Sequence, residues 1–103
     1  MAVEKLSEQQ VAQELAEINQ ALAEDKQWQV VDGKLVKQFV FKNFIQAFGW
    51  MTQVAIHAEK LIHHPEWSNV WNKVDVALVT HDAGGISELD FKMIKRMEKL
   101  IAG

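Results

Sequence analysis

The chain is predicted to fold as α+β, with a four-stranded antiparallel sheet and three helices packed on one face, in the order α-β-β-α-β-β-α. Three observations carry this reading. Two strand-like runs flank the dipeptide Asp32-Gly33, the strongest short-range hairpin signal. Apolar residues recur at helical spacing in three other stretches. Ser7-x-x-Gln10 and Ser87-x-x-Asp90 have the spacing of helix starts, in which side chain and backbone cap each other.

Taken in order, Ser7 opens a helix whose apolar stripe is Val11, Leu15, Ile18 and Leu22 and whose end falls near Glu24 or Asp25. Trp28–Val31 and Lys34–Phe41 form the first hairpin around Asp32-Gly33. Asn43 caps a second helix, with Phe44, Phe48, Met51, Ala55, Ala58 and Ile62 assigned to its buried face. It should stop at His63 or His64, because Pro65 pushes its predecessor out of the α region. Residues 67–71 and 74–80 read as a second hairpin about Asn72-Lys73, which places Trp71 opposite Val74 and on one face with Trp67, Val76 and Leu78. Leu89, Ile94, Met97 and Ile101 make the apolar contacts of the last helix. The four tryptophans read as core, and so do Met51, Met93 and Met97. Val31, Val36, Val40 and Val79 fall on the other sheet face, more apolar area than a solvated face needs, and this points to self-association.

A length of 103 residues suits one domain spanning 1–103, able to bury roughly two thirds of its unfolded surface. The net charge of −3 argues against nucleic acid as a direct partner. Neither a membrane span nor an apolar secretory leader is legible, so a cytoplasmic location is expected. With no cysteine, chemistry must come from His, carboxylate, Trp and backbone groups.

Three of the four histidines stand beside two turn-forming breaks, at His63-His64-Pro65 and Thr80-His81-Asp82. Imidazole exchanges protons near neutral pH, so convergence there would make a proton-transfer site. Glu59 and His63 are four apart, close enough on a helix for the carboxylate to accept from the ring; as a lone pair they would be an ordinary surface contact. His81 leaves a strand end, where backbone groups of Thr80 to Asp82 could meet a planar heterocycle. Asp90 reads first as the partner of Ser87 in capping the last helix. The ligand types for zinc or non-haem iron are present, but no recognised metal spacing occurs, so a metal site is not favoured.

Glu59-x-x-x-His63-His64-Pro65-Glu66-Trp67, with Asn69, Trp71–Val74, Leu78, Thr80-His81, Gly85 and Asp90, closely resembles the signature of the pterin-4a-carbinolamine dehydratases. Phe39–Phe44, Ala47–Gly49, Met51-Thr52 and Val54-Ala55 extend the resemblance upstream. It implies a four-stranded antiparallel sheet with three helices on one side, assembly into dimers or tetramers, and no cofactor. The implied reaction is dehydration of 4a-hydroxytetrahydropterin to quinonoid dihydropterin, which recycles the cofactor of aromatic amino-acid hydroxylases. On the matching positions the catalytic set is His63, His64, His81 and Glu59, and the substrate-binding set Ile62, His63, His64, Pro65, Val79, Thr80, His81 and Asp82. His63 and His81 would transfer the protons, in an order left open, with His64 orienting the pterin and Glu59 polarising His63. The Ile62 position often carries Asp or Asn in the family, and the Trp71 position often Tyr. The resemblance also admits a second role, as a dimerisation cofactor of a transcription factor, and a third, in support of molybdopterin metabolism.

Overall fold

The computed structural model describes residues 3–102. Helix α1 (Glu8–Gln20) begins at a full capping box: Gln10 N–H donates to Ser7 Oγ at 3.1 Å, and Ser7 N–H donates to Gln10 Oε1 at 2.8 Å. Strands β1 (Gln29–Val31) and β2 (Lys34–Val40) follow, then α2 (Phe44–Leu61), β3 (Glu66–Val70), β4 (Lys73–Leu78) and α3 (Glu88–Ala102). All strand pairs are antiparallel, in the spatial order β1-β2-β4-β3.

The predicted element order and sheet are present, and the differences are local. Helix α1 ends at Gln20 rather than near Asp25. Asn19 binds both the N–H and the carbonyl of Trp28, and Gln27 reaches back to the carbonyls of Asn19 and Leu22, so side chains take up helix-end groups while the chain turns toward β1. The first hairpin turns on Asp32 and Gly33 as expected, with φ of 52° and 76°, the left-handed pair that the tightest hairpin needs.

The second hairpin turns one residue earlier than expected. Val70 pairs with Lys73, so Trp71-Asn72 is the turn, and Trp71 takes φ of 50° and stands exposed rather than in the core. Asn69 secures this register by donating to the carbonyls of Trp71 and Lys73, while Asn72 bonds Phe41 through both backbone and side chain. Moving a two-residue turn by one position shifts the pairing by two, which keeps the faces: Trp67 still shares the inner face with Val76, and Asn69 rather than Trp71 lies opposite Val74.

The buried side of the sheet presents Leu35, Phe39, Val74, Val76 and Leu78 to Val11, Trp50, Phe91, Ile94 and Met97. Trp28, Phe39, Phe41, Trp50 and Trp67 form a chain of aromatic contacts with centroids 4.5 to 6.4 Å apart, each such pair worth about 0.5–1.5 kcal/mol beyond its buried area. Helix α2 buries Ala47, Trp50, Val54 and Ala58, whereas Phe44, Phe48 and Ile62 of the predicted face are exposed and Ala55 with them. Ala58 of the predicted face is buried as expected and Met51 packs against the core, but apolar residues cover most of this helix, so periodicity alone placed the stripe off-centre; bulk against the sheet chose the one containing Trp50. In α3, Met93, Ile94 and Met97 are buried as expected, joined by Phe91, while Ile101 is exposed.

Candidate active site

The second helix ends because Ile62 adopts a left-handed conformation, φ 51° and ψ 44°, with its N–H on the carbonyls of Ala58 and Glu59. This turn, one residue before the predicted stop, reverses the expected pairing of the two histidines. His63 leaves the helix direction and enters the interior, only 8% exposed, where its Nε2 lies 2.6 Å from Asp90 Oδ1. Glu59 Oε1 instead meets Nε2 of His64, at 2.8 Å and in solvent. The expected Glu59–His63 pair is therefore corrected: it requires a helix that continues to residue 63.

Asp90 is fully buried, and its other oxygen accepts from the Thr80 hydroxyl and the Ser87 N–H, both at 2.9 Å. Thr80 and Ser87 hydroxyls are themselves 2.6 Å apart. The capping role read from Ser87-x-x-Asp90 is present, and the same carboxylate also holds His63. That second duty was not legible locally, since the partners are 27 residues apart. An anionic oxygen facing Nε2 makes it the donor and leaves Nδ1 to exchange protons.

His81 is carried by a tight loop closed by reciprocal Thr80–Gly85 backbone bonds of 3.0 and 3.2 Å, with Gly84 at φ 77°. These bonds occupy both backbone groups of Thr80, so the backbone edge expected for a heterocycle is already engaged at that residue. His81 Nε2 lies 2.8 Å from Glu66 Oε2, and Glu66 Oε1 accepts from Lys34 at 2.6 Å. Lys34, and then His81, hold the Glu66 carboxyl below the usual range. Glu66 was read only as part of the loop; its position on the first residue of β3, beside β4, is what brings it to His81.

Ile62, His63, His64, Val79, Thr80, His81 and Asp82 line one open hollow of about 420 Å³, within the usual range for a small-molecule site. Seven of the eight residues expected to contact substrate are thus brought together; Pro65 is not among the lining residues. Val79, expected on the far face, lines this hollow, while Val31 and Val40 are exposed on the far face and Val36 half-exposed. A larger hollow of about 620 Å³ over the open sheet face contains no histidine. Among the described residues no group of three His, Asp or Glu is placed to hold a metal ion. Each of the three imidazoles is instead bound at Nε2 by its own carboxylate.

The family model described as pterin 4 alpha carbinolamine dehydratase matches residues 4–100. The chain belongs to that family. Among its relatives, a protein of Rhizobium johnstonii provisionally named a pterin-4-alpha-carbinolamine dehydratase is 49% identical over 102 residues, covering 99% of this chain and 96% of the relative. One of Jannaschia sp. (strain CCS1), with the same provisional name, is 59% identical over 78 residues, covering 74% and 80%. The crystal structure of a transcriptional coactivator/pterin dehydratase from Brucella melitensis superposes with a TM-score of 0.82 at 42% identity, over 94% of this chain and 98% of that one. The Brucella protein shares the fold described above, and the described residues contain no helix long and apolar enough to cross a membrane.

Proposed function

We propose that the histidine hollow dehydrates a 4a-hydroxytetrahydropterin to the quinonoid dihydropterin, recycling a pterin used by aromatic amino-acid hydroxylases. The supporting observation is the set of three imidazoles at one hollow, each held at Nε2 by a separate carboxylate. The elimination needs one group to protonate the departing C4a hydroxyl, which leaves as water, and one to take the N5 proton as the C4a–N5 double bond forms. Imidazoles serve both needs near neutral pH, and the reaction requires no metal.

His63 and His81 carry the proton transfers, and His64 orients the pterin. Asp90 takes the positioning role for His63 first given to Glu59, and Glu66 takes it for His81. Loss of the carbinolamine's ultraviolet signature, followed with and without the protein, is the test. His63→Ala and His81→Ala should each lower kcat by roughly 10²- to 10⁴-fold, the exposed His81 with folding retained and His63 at a cost of about 3–5 kcal/mol because its loss strands the buried Asp90; near-native turnover in both removes the assignment.

A second reading, as a protein-interaction factor, is favoured by one observation. Helix α2 exposes Phe44, Ile45, Phe48 and Ile56, a stripe suited to another helix, which accords with the description of the Brucella relative as a transcriptional coactivator/pterin dehydratase. Self-association into dimers or tetramers would use such a stripe or the exposed valines of the sheet. A sedimentation mass of one chain at micromolar concentration would count against assembly.

A further inference from the structure

The outer face of α3 carries Lys92, Lys95, Arg96 and Lys99, all exposed, and Lys60 of α2 stands exposed as well. At about 100° per residue the four α3 positions share an arc of roughly 100°. Spacings of three and four put like charges side by side, a local cost to the helix that an incidental surface would avoid. Five of the chain's 11 lysines and arginines are gathered on these two helices, in a molecule whose net charge is −3.

The described residues offer them no ion-pair partner. Nearby acids are engaged elsewhere: Glu98 turns inward to Lys37 and Trp28, Glu59 binds His64, and Asp90 is buried on His63. Glu88, at the head of the stripe, faces Glu14 of α1, with Lys95 in their field.

Arg96 and Lys99 border two shallow depressions. One, of about 360 Å³, adds Gln53, His57 and Leu100; the other, of about 330 Å³, adds Leu61, Lys92 and Lys95. Helical spacing puts His57 and Lys60 on the opposite flank of α2 from Phe44 and Phe48, so this surface adjoins the apolar stripe only where Ile56 neighbours Lys60 one turn on. None of its residues lines the histidine hollow.

We propose that this face docks an acidic helical segment of a partner protein, whose carboxylates meet Lys92, Lys95, Arg96 and Lys99 and whose apolar residues settle beside Leu61 and Leu100. The stripe spans about 10 Å, two turns of helix, the reach of carboxylates spaced three, four and seven apart on a partner. A short segment senses only charges within a Debye length of about 8 Å. An extended phosphate backbone would also meet the acidic remainder of the molecule, which disfavours nucleic acid as the occupant.

The test uses a fluorescent helical peptide of about 18 residues with Glu and Leu at those spacings, beside a twin with every Glu replaced by Gln. Binding is read by anisotropy at about 50 and 300 mM salt and mapped by amide chemical shifts. The acidic peptide should bind at least about tenfold more tightly than its twin, weaken at the higher salt, and perturb residues 53–61 and 92–100. Arg96→Glu/Lys99→Glu should lose at least about tenfold in affinity at an unchanged denaturation midpoint. If that variant is destabilised, Lys92→Gln/Lys95→Gln serves in its place and should weaken binding in the same direction. Equal binding of the twins, unchanged binding by a folded variant, or shifts confined to other surfaces would overturn the proposal. So would a double-stranded oligonucleotide binding more tightly than the peptide, or loss of self-association in the charge-reversed variant, which would make the face an interface between copies.

Discussion

Nε2 of His63 and Oδ1 of Asp90 lie 2.6 Å apart in the protein interior, joining the residue just past α2 to the first turn of α3. A carboxylate with three hydrogen bonds, one on Oδ1 and two on Oδ2, cannot be exchanged silently for a cap of another kind. Asp90→Ala therefore departs from the behaviour of a simple helix cap. It should cost about 3–5 kcal/mol, the range for leaving one member of a buried pair behind, together with a roughly 10²-fold or greater loss of turnover. Asp90→Asn keeps the volume and separates the two effects. Urea midpoints and kcat for both variants check this, and native kcat in folded Asp90→Asn would deny the carboxylate its role toward His63.

Glu59→Gln should change little by comparison. Its partner His64 is largely exposed, and exposed pairs contribute about 0–1 kcal/mol. Less than about a tenfold change in kcat/KM is expected, against a larger loss for Asp90→Asn measured in the same assay.

Ile62→Asn should stabilise the protein by about 1 kcal/mol, because a β-branched residue pays about 1–2 kcal/mol for left-handed geometry that Asn tolerates. The Ile62 side chain is 83% exposed, so little burial is lost. A denaturation midpoint no higher than that of the parent chain would show that strain at this turn is absent.

Lys37 reaches under the sheet to Glu98, lies over the Phe39 ring with Nζ 4.5 Å from the centroid, and shares Glu98 with Trp28 Nε1. Lys37→Met should cost about 3 kcal/mol by stranding Glu98, whereas Lys37→Met/Glu98→Leu should recover much of it. The double-mutant cycle, read from urea midpoints, measures the coupling.

Burial, followed by the hydrogen bond and charge of Glu88, pushes the Glu14 carboxyl up to about 7. A raised carboxyl favours the folded state fully below its unfolded value of about 4.3 and loses that contribution as pH rises through about 7. Glu14→Gln should accordingly raise the melting temperature relative to the parent at pH 8, with the advantage shrinking toward pH 4.5. An advantage independent of pH would contradict the assignment to Glu14 ionisation.

The sequence by itself determined what depends on neighbours along the chain. Ser7 and Gln10 could reach each other wherever the helix went, Asp32-Gly33 could supply left-handed geometry without help, and Asn43 bonds Gln46 three residues on. The spacing and breaks of the histidines match the family pattern, and the hollow gathers the site residues that pattern named except Glu59 and Pro65. Tertiary structure decided the rest. Helix α2 is apolar on more than one side, so only the sheet could select Trp50 over Phe48 for burial. The Trp71-Asn72 turn required the side chains of Asn69 and Asn72 and the neighbouring Phe41 to fix its register. The partners of His63 and His81 are Asp90 and Glu66, 27 and 15 residues away, and a helical spacing rule cannot reach them. One left-handed residue, Ile62, redirects the chain and gives the nearby carboxylate of Glu59 to His64, because a backbone reversal moves a side chain farther than any rotamer can restore.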